Sequence, residues 1–423
     1  MPKVGTWTTD PMPRSAESAG VAKLRSLEAI RERCQEILAR ADAGCLAHFE
    51  LHRERLNATA DYVLATIEER YPDLDIPFHS RWRHFEVGGI DRWKTLWPKL
   101  QDGSRENIAR TRIDLAVTSV LLDAGAGNEW RYVEADSGTV FSRSEGLAVA
   151  SFHMFIEGAF SSKAEDLLRA DAAGLKSLDT DDLTRAFQVR RDNPLVGAAG
   201  RIELLRSLGQ ALSAHPKLFG ENDPRVGKLY DYLATRAVGD QLPIAEIFSA
   251  VLGGLAPIWP GRVQLGGENL GDVWRHPAIE RGDPSNGLVP FHKLSQWLTY
   301  SLVEPLEEAG LQVTALETLT GLPEYRNGGL FVDLGVLSLR QPAAADRIQD
   351  AGSELVVEWR ALTVALVDEL ARLIRAKLDM DAERLPLIRI LEGGTWAAGR
   401  KVARERRASG GPPITVNSDG TVF

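Results

Sequence analysis

Four polar side chains of different chemistry stand side by side at residues 324–327, within the segment "GLPEYRNGGL". Glu324, Tyr325, Arg326 and Asn327 offer a carboxylate, a phenol, a guanidinium and an amide, and two glycines follow them. Glycine lets the backbone approach a ligand closely and adopt dihedral angles that other residues avoid. The pattern is therefore typical of a site that holds a small polar ligand beside bare backbone, although a solvated loop can have the same composition.

Arginines and aromatic residues are mixed in a second candidate segment, "HSRWRHFEVGGIDRW" at residues 79–93. Arg81, Arg83 and His84 lie next to tryptophan and phenylalanine in it. The planar guanidinium of arginine suits bidentate binding of a phosphate or a carboxylate, so this segment is a candidate for substrate contact. An arginine–aromatic surface patch, or a set of structural salt bridges, would use the same residue types.

Further candidates lie in a long irregular segment that ends near residue 287, and in the helix predicted at 288–309. Long loops within compact proteins are disproportionately functional. A lysine in that helix can bind an anion and a glutamine can hold an amide-like ligand, while the polar face of an amphipathic helix explains the same residues. The candidates are Asp272, Trp274 and His276 in the loop and His292, Lys293 and Gln296 in the helix.

Two C-terminal segments complete the set of candidates. In "VVEWRALTV", Glu358 and Arg360 are too close in sequence to face each other on a helix, and charged side chains need partners when they are buried. A partner from residues 324–326 would satisfy both. In "LEGGTWAAGR", which ends at Arg400, a Gly-Gly-Thr turn that opens a helix can bind phosphate through backbone N–H groups, and a plain helix-entry turn is the alternative.

Several familiar site types are missing from the sequence. It has neither the GxxxxGK[ST] nor the GxGxxG nucleotide fingerprint, no HExxH pair and no GxSxG elbow. The two cysteines, Cys34 and Cys45, have no CxxC or metal-ligand spacing around them. We therefore expect no metal and no cofactor, and a chemistry that depends on carboxylates and fixed polar contacts.

The overall charge restricts the partners. The 423 residues carry 50 basic and 59 acidic side chains, which gives a net charge of −9 and a pI near 5.5. Without a basic tract, general electrostatic binding to nucleic acid or to an anionic membrane is not expected. The N-terminal residues lack the apolar core of a signal peptide, so we expect a soluble cytoplasmic protein whose partner is a small nucleotide-like substrate.

Helical periodicity dominates the chain and must position these side chains. Apolar residues recur at helical spacing over most of the sequence, including 105–123, 288–309 and 344–378. The sequence therefore predicts a mainly α fold: a large multi-helix body with a few short strands. We expect a flexible N-terminal lead-in at 1–17 and a single helical catalytic unit at 18–423, with possible lobes at 18–195 and 196–423.

Long stretches of the chain resemble the uracil-catabolism family of fungi and bacteria of the URC-four or urg-three type. The resemblance is carried by "HSRWRHF", "PIWPGR", "LGDVWRHP", "LTGLPEYRNGGLFVD", "VEWRALTV", "LEGGTWAAGR" and "SDGTVF", and it extends over residues 20–423. It implies a role in a route in which uracil becomes a nucleotide, its ring is opened, and ribosylurea-type intermediates and urea appear.

A second similarity is to the queuosine-salvage nucleosidases, helical enzymes that hydrolyse an N-glycosidic bond of a nucleoside 5′-monophosphate. It is carried by "LTGLPEYRNGGLFVDLGVLSL", "GSELVVEWRALTVALVDEL" and "HKLSQ". It implies the DNA-glycosylase-like helical fold of that family. In the aligned stretch the family has Asp where this chain has Glu324, and its "VPQ" is replaced by "NGG" at 327–329, so the base-contacting residues do not carry over.

Together the two resemblances imply hydrolysis of a ribosylurea 5′-phosphate to urea and ribose 5-phosphate. Glu324 would be the catalytic carboxylate with Asp333 as the second candidate, and Glu358 and Arg360 would orient it. The residues implied for the 5′-phosphate are Arg81, Arg83, Lys293 or Arg400. A uracil phosphoribosyltransferase and a non-catalytic ligand-binding protein of the pathway are the alternatives. The transferase ranks lower, because the common transferase fold needs an α/β domain.

Overall fold

The computed structural model describes residues 14–123, 125–127, 129–259 and 261–417. It confirms a mainly α protein. The helices of the N-terminal half are α1 Arg14–Leu24, α2 Leu27–Asp42, α3 Leu56–Arg70, α4 Arg81–Phe85, α5 Arg92–Thr95, α6 Trp97–Leu100, α7 Arg105–Leu121, α8 Arg143–Ile156, α9 Ala172–Ser177 and α10 Thr180–Ala186. Those of the C-terminal half are α11 Ala198–Ala214, α12 Pro216–Phe219, α13 Leu229–Arg236, α14 Ile244–Leu255, α15 Lys293–Glu308, α16 Tyr325–Asp333, α17 Glu354–Leu378, α18 Leu387–Ile390 and α19 Trp396–Arg406.

The strands are short and pair in twos within the described residues. The antiparallel pairs are β1–β10, β2–β3, β5–β6 and β7–β8, and the parallel pairs are β4–β9 and β11–β12. The strands are β1 Phe49–Leu51, β2 Tyr132–Val133, β3 Val140–Phe141, β4 Gln241–Pro243, β5 Gln264–Leu265, β6 Glu268–Asn269, β7 Val273–Arg275, β8 Leu288–Pro290, β9 Gln312–Thr314, β10 Leu337–Leu339, β11 Gln349–Asp350 and β12 Val416–Asn417.

Helices from both ends of the chain share one hydrophobic core. The first half of α17 is buried on all sides and packs against α2, α3 and α16, while α15 packs against α7 and α14. A helix that is apolar all round belongs in the interior of a large body, which explains the long apolar run in α17. The first helix begins at Arg14, inside the predicted lead-in, whose residues 1–13 lie outside the described part of the chain.

Two helix boundaries differ from the prediction, and both matter for the site. The residues at 288–290 form β8 instead of the first turn of a helix, because they pair with β7. His292 then takes a left-handed backbone conformation with φ 48°, so α15 starts at Lys293. The helix predicted at 344–378 starts at Glu354, where the Ser353 hydroxyl accepts a hydrogen bond from the N–H of Val356 at 3.4 Å.

The Gly-Gly-Thr turn is not a helix opening. Leu391–Thr395 form a π-helical turn inside a continuous helical run from α18 into α19. Gly393 packs on Ile76, and Gly394 packs on Val63 and Ile67, where a Cβ atom would approach within 2.9 and 2.8 Å. Close packing against Ile76 and α3 therefore explains these two glycines, and the turn has no free N-terminus for a phosphate.

Candidate ligand-binding cavity

A cavity of about 280 Å³ opens where α4, α15, α16 and α19 meet the start of α8. Asp123 and the segments 125–127 and 410–412 complete its walls within the described residues. Its side chains combine one unpaired carboxylate, three cations, three large aromatic rings and two histidines. The residues that line it are His79, His84, Asp123, Gly125, Ala126, Gly127, Arg143, Ser144, Lys293, Leu294, Trp297, Leu322, Glu324, Tyr325, Arg326, Trp396, Gly410, Gly411 and Pro412.

The carboxylate of Glu324 is fixed at the N-terminus of α16. Its two oxygens accept hydrogen bonds from the backbone N–H groups of Arg326 at 2.8 Å and Asn327 at 2.6 Å. Ser, Thr, Asp and Asn are the usual residues at this capping position, so a glutamate there is unusual. It is 8% exposed and faces the cavity. The result is an anchored negative charge in the cavity wall.

The glycines that follow Glu324 serve helix packing. They lie inside α16 and do not line the cavity. A Cβ atom on Gly328 would meet Trp359 and Thr363 of α17 at 2.8 Å, and one on Gly329 would meet Pro413 at 3.1 Å. The predicted contact between a ligand and bare glycine backbone is therefore wrong at this segment, because close approach of α17 explains Gly328 and close approach of Pro413 explains Gly329.

Three cations face the cavity without a carboxylate partner. None of Lys293, Arg143 and Arg326 forms a salt bridge with a described residue, and the only other polar contact of the Arg143 guanidinium is a 3.4 Å hydrogen bond to the carbonyl of Ser409. Burial lowers the pKa of Lys293, and the nearby Glu324 carboxylate opposes that shift. Unpaired cations in a partly buried wall favour an anionic ligand.

The N-terminus of α8 adds backbone donors to the same wall. Arg143 and Ser144 both line the cavity. The side chain of the preceding Ser142 makes no capping hydrogen bond to a described residue. First-turn N–H groups of a 14-residue helix, together with its dipole, attract an anion. Arg143 and this helix start therefore form one candidate position for a phosphate.

Aromatic rings form another part of the wall. The guanidinium of Arg326 lies 4.3 Å from the ring centre of Trp396 and 5.4 Å from that of Tyr325. The His84 ring lies edge-on between Trp297 and Trp396, with ring centres 6.0 and 6.1 Å apart. Such rings offer flat apolar faces for a planar ligand group.

His84 is neutral at physiological pH in this setting. Burial and the Arg81 guanidinium lower its pKa to about 4. It is 6% exposed, and its Nδ1 atom has no hydrogen-bond partner among the described residues. A buried polar atom without a partner is rare in proteins, and the His84 residue that carries it lines the cavity.

A buried ion pair beneath the cavity fixes two of its charged residues. The Arg360 guanidinium donates two hydrogen bonds of 2.8 Å to the Asp272 carboxylate. Asp272 also accepts the backbone N–H of Lys293 at 3.0 Å, and Arg360 contacts the carbonyl of Pro323 at 3.4 Å. Arg360 lowers the pKa of Asp272, which overcomes the opposing effect of burial. The pair therefore ties Lys293 to the turn that carries Glu324.

The structure brings five predicted site residues together at the cavity: His84, Lys293, Glu324, Tyr325 and Arg326. Arg360 and Asp272 support them from below, as just described. The other implied orienting residue, Glu358, does not contact Glu324. One of its oxygens accepts the backbone N–H groups of His48 and Phe49 at 3.1 and 2.8 Å.

Three of the four residues implied for the phosphate have carboxylate partners and lie outside the cavity wall. Arg81 donates to Asp123 at 2.7 Å, and Arg83 donates to Glu304 at 2.7 Å and to Glu86 at 2.9 Å. Arg400 donates to Glu145. Only Lys293 of that group lines the cavity.

The remaining predicted residues lie outside the cavity wall. Asp333, at the other end of α16 from Glu324, accepts two hydrogen bonds of 2.6 Å from Arg407. The other side chains make local contacts: Trp274 donates to Asp272, His276 Nδ1 accepts the N–H of Ala278, His292 contacts the carbonyl of Leu24, Gln296 bonds Phe291 and Thr320, and Asn327 donates to the carbonyl of Leu322.

Arg143, Trp297 and Trp396 line the cavity but were not predicted as site residues. Trp396 stands in the candidate segment "LEGGTWAAGR", and Trp297 directly follows the candidate Gln296. Arg143 has a weaker signal. It follows Ser142 in "SRSEG", where serine three residues before glutamate is typical of a helix N-terminus. That pattern predicts the start of α8 but not its position at the cavity.

The fold and the cavity define a class of protein: a mainly helical chain with a cationic, aromatic-lined cavity around one anchored carboxylate. Within the part of the chain that is described, no helix has the length and apolar character needed to cross a bilayer.

The chain belongs to the family described as "Protein of unknown function (DUF1688)", which matches residues 23–423. It is 41% identical over 411 residues to "Protein urg3" of Schizosaccharomyces pombe (strain 972 / ATCC 24843), which covers 95% of this chain and 99% of that protein. It is 38% identical over 437 residues to "Uracil catabolism protein 4" of Lachancea kluyveri, with the same coverage of both chains. These relatives confirm the predicted resemblance to the uracil-catabolism family. The resemblance to the queuosine-salvage nucleosidases stays a prediction.

Proposed function

We propose that this protein acts in uracil catabolism and hydrolyses the N-glycosidic bond of a ribosylurea 5′-phosphate. The pathway is supported by the name of the Lachancea kluyveri relative, "Uracil catabolism protein 4". The reaction is supported by one observation, the convergence of the anchored Glu324 carboxylate with three unpaired cations in a single cavity. The substrate it suits carries a phosphate at one end and a planar urea group at the other.

Glu324 would stabilise the transition state electrostatically. Cleavage of an N-glycosidic bond builds positive charge on the ribose ring, in an oxocarbenium-like state. A carboxylate that is already held by two backbone N–H groups needs no reorganisation when that charge develops. Water adds to C1′ of the ribose as the C1′–N bond breaks, and the products are ribose 5-phosphate and urea.

Lys293 would supply the proton that the leaving urea nitrogen needs, and the attacking water releases one proton in exchange. Urea is a poor leaving group as an anion, so protonation of its nitrogen or oxygen is required for cleavage. Burial lowers the pKa of Lys293, which makes its ammonium a stronger acid than an exposed lysine. The Asp272–Arg360 pair holds the backbone of Lys293 in place for this role.

The phosphate would bind at Arg143, the first turn of α8 and Arg326. Arg143 offers a guanidinium beside the first turn of α8, a combination that phosphate groups prefer. Arg326 remains stacked on Trp396 and lines the cavity. The neutral His84, whose Nδ1 atom accepts hydrogen bonds when Nε2 carries the proton, is suited to an N–H group of urea.

The deciding experiment is a product-release assay. Purified protein is incubated with ribosylurea 5′-phosphate and, separately, with uridine monophosphate, and urea, uracil and ribose phosphate are measured. We expect urea release from the first substrate, and a fall of roughly 10²–10³-fold or more in Glu324→Gln. The amide oxygen of glutamine can still accept one of the two backbone N–H bonds, so the variant should fold.

Asp333→Asn is the matched control, because it removes a carboxylate from the opposite end of the same helix. It should retain turnover and lose stability. Absence of urea release by a folded wild-type protein would rule out the hydrolase. Consumption of phosphoribosyl diphosphate with Mg²⁺ would instead support a transferase, and tight binding of the intact substrate would support a non-catalytic role.

A further inference from the structure

Three potential metal ligands from two distant segments meet at the first turns of α17, outside the cavity. Glu354 and Glu358 are four residues apart and share one face of that helix. His48, which directly precedes β1, lies against them. One ligand atom from each of these three residues lies within 4.8 Å of the other two. None of them lines the cavity described above.

The buried member of this cluster has an oxygen without a partner. Glu358 is fully buried, and its Oε1 atom accepts the backbone N–H groups of His48 and Phe49. Its Oε2 atom has no hydrogen-bond partner among the described residues. Buried carboxylate oxygens are normally satisfied by hydrogen bonds, a cation or a metal.

No lysine or arginine in the described structure neutralises the two glutamates. The only salt-bridge distances are those to histidines, 3.9 Å between Glu354 and His48 and 3.6 Å between Glu358 and His276. Every other fully buried aspartate or glutamate of the described chain has an arginine partner or several hydrogen bonds, as Asp114 and Asp272 illustrate. The cluster therefore has an excess of negative charge.

The ring of His276 faces this cluster and can donate a hydrogen bond to it. Its Nδ1 atom accepts the backbone N–H of Ala278 at 3.1 Å, so a neutral ring carries its proton on Nε2. That atom is buried, has no hydrogen-bond partner in the described residues, and faces Glu358 Oε2 at 3.6 Å. Carboxylates that bind metals are commonly oriented by such a hydrogen bond.

We propose that His48, Glu354 and Glu358 bind one divalent first-row transition ion. One imidazole and two carboxylates suit Zn²⁺, Mn²⁺, Fe²⁺ or Co²⁺ and do not suit Cu⁺, which prefers sulfur. Ligand atoms around a tetrahedral zinc are about 3.3 Å apart, so the cluster must contract slightly on binding. The side chains of His48 and Glu354 are 34% and 40% exposed, and they can move inward onto the fixed Glu358.

The ion would have a structural role. His48 is followed at once by β1, which pairs with β10, and the carbonyl of His48 accepts the N–H of Arg340 at 2.9 Å. Binding would tie this strand pair to α17, the helix that carries Arg360. No local sequence pattern predicts such a site, because His48 and Glu358 are 310 residues apart.

The test uses the full chain after removal of metal with a chelator, titrated with Zn²⁺ by calorimetry and with Co²⁺ by visible absorption. We expect one ion per chain with a Kd of about 10 μM or tighter, and a melting temperature that rises as the site fills. His48→Ala and Glu354→Gln should each weaken binding by about tenfold or more and abolish the rise in melting temperature. Both residues are half-exposed, so the variants should fold even if Glu358→Gln does not.

His52→Ala is the matched control. His52 Nδ1 lies 3.8 Å from Glu54 Oε1, nearly the same spacing as in the proposed site, but no third ligand joins them. This variant should bind Zn²⁺ as the wild type does. The proposal is overturned if the wild type binds no ion at one per chain below about 10 μM, if both ligand variants bind as tightly as the wild type, or if the control loses binding to the same extent.

Discussion

Two concave regions of this protein are built from the same kinds of residue but differ in how their charges are paired. The first is the cavity around Glu324. The second, which we call the groove, has a volume of about 540 Å³, almost twice the 280 Å³ of the cavity. Arginines and tryptophans line both. The residues that line the groove are Trp82, Arg83, Phe85, Glu86, Asp91, Trp93, Lys94, Trp97, Arg112, Glu304 and Glu308.

Each cation of the groove has an acidic partner within it. Arg83 pairs with Glu86 and Glu304, Lys94 pairs with Asp91 at 3.2 Å, and Arg112 pairs with Glu308. In the cavity, by contrast, Lys293, Arg143 and Arg326 have no salt bridge to a described residue. An anion can bind where a cation has no acidic partner. The absence of such a partner indicates an anion site better than the residue type or the volume of the pocket does.

This difference has an energetic basis. A cation that leaves bulk water loses hydration, and an acidic neighbour or a bound anion must compensate for the loss. Burial lowers the pKa of Arg112 in the groove to about 10, and the Glu304 carboxylate opposes that shift. Glu308 and two tryptophan rings contact the Arg112 guanidinium directly. In the cavity the Glu324 carboxylate acts on Lys293 and Arg326 without a salt bridge, and a bound anion can complete the compensation.

The largest expected effect is that of Lys293→Met. A general acid contributes about 10²–10⁴-fold to a proton transfer, so kcat for urea release should fall by roughly 10²–10³-fold while KM changes little. The wild type should also lose activity at alkaline pH as Lys293 loses its proton, and the residual activity of the variant should lack that loss. Steady-state assays across the pH range measure both. A variant that keeps half of the wild-type kcat would exclude Lys293 as the acid.

The second prediction concerns the pH dependence of stability. The folded pKa of His84 is about 4, below the ordinary value of 6.5. Between these values the unfolded chain binds a proton that the folded chain does not, so stability is lost as the pH falls from 6.5 to 4. The loss due to this residue is at most about 3 kcal/mol.

Chemical denaturation of the wild type and His84→Phe across this pH range measures the effect. The phenylalanine keeps an aromatic ring between Trp297 and Trp396 but does not titrate. The variant should therefore have a shallower dependence on pH than the wild type. Parallel curves for the two proteins would show that His84 titrates normally in the folded state.

The third prediction addresses the phosphate. Arg143→Gln should raise KM for ribosylurea 5′-phosphate by about tenfold, since one charge-assisted contact contributes roughly 1.5 kcal/mol or more. KM for the same compound without its phosphate should not change. Measuring KM for the wild type and the variant, each with both substrates, isolates the contribution of the phosphate. An equal rise in KM for both substrates would show that Arg143 does not contact the phosphate.

The sequence predicted much of the fold and five of the nineteen described residues that line the cavity. Helical periodicity identified α15 and α17, and the composition of "GLPEYRNGGL" identified Glu324 and Arg326. The sequence could not show which cations form salt bridges, because their acidic partners are remote in the chain. Arg83 and Glu304 are 221 residues apart, and Asp272 and Arg360 are 88 apart. Residue types give the chemistry available, whereas pairing depends on the tertiary fold.

Dependence on the tertiary fold also explains why the two glycine pairs were wrongly predicted to serve a ligand. In sequence, Gly-Gly after a charged residue or before threonine indicates a flexible or ligand-binding turn. In the structure both pairs lie within helical runs and accommodate closely packed side chains, such as Trp359 at Gly328 and Val63 at Gly394. A glycine can make room for a ligand or for a packed side chain. Which of the two lies next to it depends on the tertiary fold, and the local sequence does not predict it.

Arg83→Gln in the groove should have the smallest effect on activity. If pairing with Glu304 and Glu86 already satisfies this arginine, its removal should leave kcat and KM within about twofold of the wild type. Stability should fall by about 1 kcal/mol, since the Arg83–Glu304 pair is only partly buried and Glu304 keeps its hydrogen bond from Ser80 at 2.6 Å. Thermal melts and steady-state kinetics on the same preparation measure the two quantities, with Arg83→Lys as the variant that keeps the charge. An increase of about tenfold in KM for the phosphorylated substrate, absent in Arg83→Lys, would move the phosphate to the groove and show that pairing does not distinguish the two regions.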